Sequence, residues 1–439
     1  MANTTISRTM AANNEKKLTV SMWVKRAKLG SEQFLLVSYY SGSYWGEIKF
    51  NADDTITFAD YRSSYILKLI TNAKFRDPHA WMHIVCNYDI SIGSPTAKIY
   101  VNGELQTLST NTIYSQNATT SWNTDYSLRI GSYNSNTYFD GSMADFYFIQ
   151  GYTYEASTFG ETDSTTGIWK PITNPSINYG GTGGNTCHLK FEDASNLDLD
   201  SGTNSVTFST SGTLIQNQDN PANNFCTLSS LGNASSNFTL IQGNLYSGGA
   251  DNNWRSIFGT LGAIAGKYYY EVKIISSANE HIGIASSDQM AKAGDSSGKF
   301  TASTYGTEGY AYTNGGQKSN NGTDTTWGNS YTTNDIIGVA FDLDNSKIYF
   351  SKNGTWQESG DPTSGSTGTG AAYTLVANKF YLPAMASYGA ASNMAFNFGN
   401  GYFRTTAIAS EGSNASGIGK FEYDVPTGYT ALSTKGLNE

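Results

Sequence analysis

The chain has 439 residues, with 27 Lys and Arg against 36 Asp and Glu, a formal net charge of −9. At about 150 residues per domain this length suggests two or three domains, and the acidic balance without a basic block argues against nucleic-acid binding and attraction to anionic membranes. An aromatic content of 13% with only 14% charge excludes a disordered chain, and Ala, Glu, Lys, Leu and Arg do not dominate as they do in helical bundles.

The N-terminal stretch Met1–Met10 lacks an apolar core, so no secretory signal is expected. No run reaches the ~18 apolar residues of a membrane span. Leu18-Thr19-Val20-Ser21-Met22-Trp23-Val24 alternates apolar and polar residues, the pattern of a half-buried strand. His83 to Tyr88 predicts a second strand. Lys98-Ile99-Tyr100-Val101 follows, then Asn102-Gly103, the strongest local signal for a hairpin because both residues tolerate positive φ. Tyr126–Ile130 and Ala144–Ile149 add two more strands. From about Tyr154 to Ser236 the pattern becomes irregular and rich in Gly and Asn, although Trp169, Leu189, Phe191 and Phe208 provide apolar anchors. Beyond it, Lys267–Ile274, His281–Ala285 and Asp335–Asp342 predict strands. Lys347-Ile348-Tyr349-Phe350 leads into a second Asn-Gly turn at Asn353-Gly354. A strand, a Lys-Ile-Tyr strand and an Asn-Gly turn thus occur once in each half. The expected fold class is all-β: two jelly-roll β-sandwiches joined by a β-rich connector.

Three groups of motifs set the family resemblance. Thr19–Lys25, Trp81–Val85, Ile99–Gly103, Arg129–Gly131 and Phe139–Phe146 resemble a laminin-G-like, concanavalin A-like lectin/glucanase domain over 1–155. Gly266–Val272, Ile282–Ala285, Ile337–Asp344, Lys347–Gly354 and Phe396–Gly399 resemble a SPRY domain over 237–404. A connector (156–236) and a C-terminal tail (405–439) complete the order. The combination, with Phe159–Pro171 and Asn217–Leu228 in the connector and Pro426–Leu432 in the tail, is similar to virion proteins of marine tailed bacteriophages. That resemblance implies a tail fibre or surface appendage, made in the host cytoplasm and carried on the virion. Its implied partners are other virion proteins, further copies of itself and a host surface glycan, with no nucleic acid and no membrane insertion. The alternatives are a purely structural capsid decoration or assembly protein and a glucanase-like depolymerase.

Enzyme chemistry finds little purchase. A glycosidase needs two carboxylates facing each other across the scissile bond. The nearest run, Glu161-Thr162-Asp163, lies in the connector. Gly294–Gly298 has the spacing of a nucleophile elbow without the strand and helix that motif requires. Gly262–Lys267 is too short for a phosphate loop and lacks its Ser/Thr. No catalytic residue is assigned. Cys86, Cys187 and Cys226 are expected as buried thiols. The four histidines lack ligand spacing, and His83 is expected in a structural role. Asp198-x-Asp200-x-Gly202 departs from a calcium loop at its third ligand, and Asp342-x-Asp344-Asn345 reads as a turn. No cofactor is expected, with calcium at a sandwich rim the one candidate; the metal ligands stay unassigned. Binding loops are better marked. Tyr39, Tyr40, Tyr44 and Trp45 cluster with Ser and Gly, and Tyr133, Asn134 and Tyr138 form a second group, a composition shared with adaptable paratopes. Tyr268 and Tyr270 are assigned to the core by their period of two.

Overall fold

The computed structural model describes residues 4–134, 137–231, 238–249, 252–293 and 298–438. The chain divides into two compact units, 1–216 and 217–439. Both are built of antiparallel β-sheet, with a single short α-helix, Ser287–Ala293, among the described residues.

In the N-terminal unit two sheets enclose one core. The larger has eight strands in the order Leu108–Thr112, Tyr65–Thr71, Ile56–Arg62, Tyr44–Phe50, Gln33–Ser41, Ser127–Ile130, Thr5–Thr9 and Ser209–Ser211. The other has six: Cys187–Leu189, Gly141–Gln150, Lys17–Arg26, Met82–Asp89, Thr96–Val101 and Glu104–Leu105. The period of two decides what faces inward. Leu18, Val20, Met22 and Val24 of one sheet meet Ile48, Phe50, Phe58 and Leu69 of the other in a fully buried core. Asn102 (φ 49°) and Gly103 (φ 85°) make the expected tight turn. Gly103 is needed twice over, because a Cβ there would lie 2.6 Å from the Trp169 ring.

The C-terminal unit repeats the plan. One sheet runs Thr239–Ile241, Tyr246–Gly248, Asn393–Asn397, Lys267–Ser276, Ile336–Asp342, Lys347–Lys352 and Thr355–Trp356. Tyr373–Thr374 pairs with Lys347–Lys352, and Thr430–Ala431 with Lys267–Ser276. The opposing sheet has Trp254–Phe258, Tyr381–Tyr388, Asn279–Ser286, Gly309–Thr313, Gln317–Asn320 and Thr323–Thr326. Tyr268, Tyr270, Val272 and Ile274 point into the core between them. Asn353 (φ 49°) and Gly354 (φ 78°) form the second Asn-Gly turn.

The stretch 156–236, expected as a connector, falls on both sides of the division between units. Cys187–Leu189 extends the six-stranded sheet of the first unit and Ser209–Ser211 the eight-stranded one. Phe225, Cys226 and Leu228 are core residues of the second unit. The expected tail is also structural: Thr430–Ala431 pairs in parallel with Tyr268–Tyr269, and Phe421, Val425 and Tyr429 pack over the same sheet. Cys86, Cys187 and Cys226 are buried thiols outside any disulfide.

Candidate binding surface

A β-sandwich has two outer sheet faces, so the two units have four. Three are covered by the chain itself. The six-stranded sheet of the first unit presents Val85, Tyr100, Tyr147 and Ile149 outward, and Ala156, Phe159, Trp169 and Ile177 lie over them. In the second unit Tyr269, Ala340 and Tyr349 lie under Phe421, Val425 and Tyr429. The opposing sheet there places Ala285, Ala311, Ala384 and Ala386 under Phe300 and Ala293. The fourth face belongs to the eight-stranded sheet. Among the described residues it has no comparable apolar cover.

Strand register lays out this fourth face in rows. Ser127, Tyr39, Trp45, Tyr61 and Tyr65 are successive cross-strand partners, so four aromatics stand side by side on four adjacent strands. The next row is Arg129, Val37, Glu47, Ala59 and Lys68. Trp45 stacks on Tyr61 with ring centroids 4.1 Å apart, and Tyr61 meets Tyr65 edge-on at 5.1 Å. Lys49 lies 3.5 Å from the Glu47 carboxylate, two residues along the strand from Trp45. Burial pushes the Glu47 carboxyl up, against the pull of Lys49 and Trp45. Trp45 has a ring stacked against one of its faces. Its other face meets no ring among the described residues. Tyr133 stacks on Phe34 at 4.9 Å and meets Tyr39 edge-on at 5.5 Å, and Arg129 lies over the Tyr39 ring at 4.8 Å.

The expected binding residues are thus redistributed. Tyr39, Tyr40, Tyr44 and Trp45 are not one loop: they lie on paired strands, with only Gly42 and Ser43 between the strand ends. Alternation sends Tyr39 and Trp45 to the outer face and Tyr44 toward the core side, where it packs against the core edge. Tyr40 occupies the register shift between Tyr39 and Ser41 and is 65% exposed. It stacks on Tyr126 at 5.0 Å, and Arg62 lies over Tyr44 at 5.2 Å. This end of the sheet is a rim built from two hairpin tips, tied by Ser63 N–H donating to the Ser43 carbonyl (2.8 Å). Tyr133 joins the outer face. Tyr138, half-buried, pairs in register with Ser132. Asn134 belongs to a short strand, and its side chain lies outside the described residues. Tyr61, Tyr65, Phe34 and Arg129 were not anticipated as site residues. The alternation Thr57, Ala59, Tyr61 against Ile56, Phe58, Asp60 carries the signal that would have found Tyr61.

Other chemistry-bearing groups are structurally committed. Glu161 and Asp163 both lie against Lys170, at 3.5 and 3.0 Å, and Asp163 also accepts the N–H groups of Thr165 and Thr166. His83 is fully buried, stacked on Trp23 at 4.8 Å and facing Trp169 at 6.1 Å. Trp169 Nε1–H donates to His83 Nδ1 (3.1 Å), so the neutral ring carries its proton on Nε2 and donates to Ser21 Oγ (2.8 Å). Ser21 Oγ accepts a hydrogen bond there, the reverse of what a nucleophile would need. Burial lowers His83 to about 3. Asp200 accepts three backbone N–H groups, from His188, Gly202 and Val206, and so organises its own turn. Asp342 does the same for Asn345. Among the described residues no three His, Cys, Asp or Glu side chains converge as a metal site. Gly262–Lys267 ends in a strand whose Lys267 pairs with Asp342. Residues 294–297 of the elbow-like run lie outside the described residues. No helix among the described residues is long and apolar enough to cross a membrane.

Comparison with known proteins agrees with the two-sandwich architecture. Residues 2–153 match the concanavalin A-like lectin/glucanases superfamily (Laminin_G_3), and residues 267–401 match the SPRY domain. No curated protein matches the chain. Among solved structures it is similar to the SPRY domain of human HERC1, at 16% identity and a TM-score of 0.29, over 39% of this chain and 93% of that one. A second human SPRY domain gives 15% and 0.27 over 36% and 95%. A heptameric SAP-like pentraxin from Limulus polyphemus gives 11% and 0.24 over 33% and 75%. The chain carries a concanavalin A-like domain and a SPRY domain, a pairing that fits a carbohydrate- or protein-binding role.

Proposed function

We propose that this chain is a non-enzymatic surface protein of a tailed-bacteriophage virion, a tail fibre or surface appendage, that recognises host-cell glycans through the outer face of the eight-stranded sheet. The observation that carries the binding half of this reading is Trp45. It is stacked on Tyr61, its other face meets no ring among the described residues, and it stands on the sheet face that has no apolar cover among them. A fixed aromatic face stacks on the C–H groups of a sugar ring at little entropic cost. Tyr39, Tyr61 and Tyr65 supply phenolic hydroxyls beside it, and the Tyr40 rim supplies Ser41, Ser43, Ser63 and Ser64. The virion half rests on the motif combination across the chain. In this setting the partners are other virion proteins and further copies of the chain, and display of many copies raises a modest single-site affinity.

The test is binding of the full chain to a glycan array drawn from host envelopes, followed by titration of the best hit. Trp45→Ala is expected to weaken binding by at least about tenfold, or 1.4 kcal/mol, while Trp45→Phe keeps most of it and the circular dichroism of both stays unchanged. An array without hits, or unchanged affinity in Trp45→Ala, defeats the receptor reading. Release of reducing sugar from a bound glycan would defeat the non-enzymatic part. Cryo-EM of the phage particle decides the setting. If the Trp45 face is covered by a neighbouring virion subunit, the chain is a structural decoration protein instead.

A further inference from the structure

The geometry points to an anionic glycan, one bearing carboxylate, sulfate or phosphate groups, as the ligand of this face. The inference rests on the glycan-binding reading above and adds the charge of the ligand. The row beside the aromatics ends in a cation at each side: Arg129 on the strand Ser127–Ile130 and Lys68 on Tyr65–Thr71. Four strand spacings separate them, about 19 Å. Each lies over an aromatic ring of the face. Arg129 lies over Tyr39 at 4.8 Å and donates to the Tyr133 carbonyl (2.7 Å), and Lys68 lies over Tyr65 at 4.1 Å.

Neither cation meets a carboxylate among the described residues. The acids of the face are used elsewhere: Glu32 and Glu47 both lie against Lys49, at 2.8 and 3.5 Å. Three cations (Arg129, Lys68, Lys49) stand against two acids (Glu32, Glu47), a local excess of one positive charge on a chain whose net charge is −9. The uncompensated cations flank the aromatic row that a sugar ring would lie against. A neutral glycan can accept their hydrogen bonds but brings no charge to assist them. Arg129 donates from Nε to Ser127 Oγ (3.3 Å) and from Nη1 to the Tyr133 carbonyl, while its Nη2 meets no acceptor among the described residues, and a guanidinium matches a carboxylate or sulfate with two parallel hydrogen bonds.

The test uses the full chain and an array holding neutral glycans next to carboxylated, sulfated and phosphorylated members with the same backbones. The anionic members are expected to bind about tenfold more tightly than their neutral parents, as a charge-assisted hydrogen bond provides, with the advantage shrinking as salt is raised. In the double variant Arg129→Gln/Lys68→Gln the ratio of anionic to neutral affinity is expected to fall to about twofold or less, whatever the change in neutral affinity itself. Trp45→Ala is expected to lose both. Equal binding, or a preference for neutral members, overturns the inference and leaves the glycan reading standing. So does an equal loss in Lys28→Gln/Lys74→Gln, exposed lysines outside these rows, because the preference would then be non-specific. An array without any hit overturns the glycan reading itself.

Discussion

Glu271 shows how much one buried side chain can organise. It sits in the strand Lys267–Ser276 on the face opposite the core, with no exposure. Its carboxylate accepts from Tyr269 OH (3.1 Å), Asn397 Nδ2 (3.1 Å) and the backbone N–H groups of Glu422 and Tyr423 (2.9 Å each). Two of these four donors belong to the C-terminal segment, so one acid in a central strand pins a segment 150 residues away. Burial outweighs the four donors and pushes the group up to about 7 from an ordinary 4.5. A raised folded-state pKa gives stability that is complete below about 4.5 and is lost as pH rises through about 7. The difference corresponds to roughly 3 kcal/mol, or about 6–12 °C in Tm for a unit of this size. Calorimetry at pH 5 and pH 8 is expected to show that drop in the transition of the C-terminal unit and to show it flattened in Glu271→Gln. An undiminished slope in the variant would assign the dependence to other groups. Asp60 is a second such acid, raised to about 6 in the first unit by burial and held by Tyr114 and Ser121.

At the level of elements, the strands that period two and Asn-Gly announce are the strands that form. Lys17–Arg26, Met82–Asp89 and Lys267–Ser276 carry apolar residues at alternate positions, Ile336–Asp342 is an almost continuous apolar run, and each lies inside a sheet with both edges paired. The three-residue strands Cys187–Leu189 and Ser209–Ser211 are too short to show a period, and partners far away in sequence fix them. The same limit applies to the binding surface. Composition marks Tyr39 and Trp45 but cannot tell them from Tyr40 and Tyr44. Only the pairing register separates outer face from core side. Nor could composition show that Trp169 covers the other sheet. That tryptophan, in the strand Trp169–Pro171, fits against Gly103 and Gly160, where a Cβ would come within 2.6 and 2.5 Å of its ring. It also seals His83 from water. Trp169→Ala is expected to cost about 2–3 kcal/mol and to let His83 titrate upward from about 3 toward its ordinary 6.5. An NMR titration of the ring protons reads this directly, and an unmoved His83 would mean that the sheet alone buries it.

For the whole molecule, the folding units are larger than the domains they contain. A fragment ending at residue 155 keeps the concanavalin A-like strands yet loses Trp169, Phe159 and Ile177, and so bares Val85, Tyr100, Tyr147 and Ile149. It also leaves Thr5–Thr9 as an unpaired edge. Fragments 1–216 and 217–439 are expected to give cooperative unfolding and dispersed NMR spectra, while 1–155 binds ANS and aggregates. Equal stability of 1–155 and 1–216 would show that the added strands are ornament. The place of Thr5–Thr9 between Ser127–Ile130 and Ser209–Ser211 bears also on biosynthesis. At the usual pace of ~5–20 residues per second, Ile6 emerges roughly 10–40 s before Thr210, its last partner to be made. Thr5-Ile6-Ser7-Arg8-Thr9 has one large apolar side chain and one charge, so the nascent strand waits as a hydrated segment that resists premature pairing with its neighbours on a polysome.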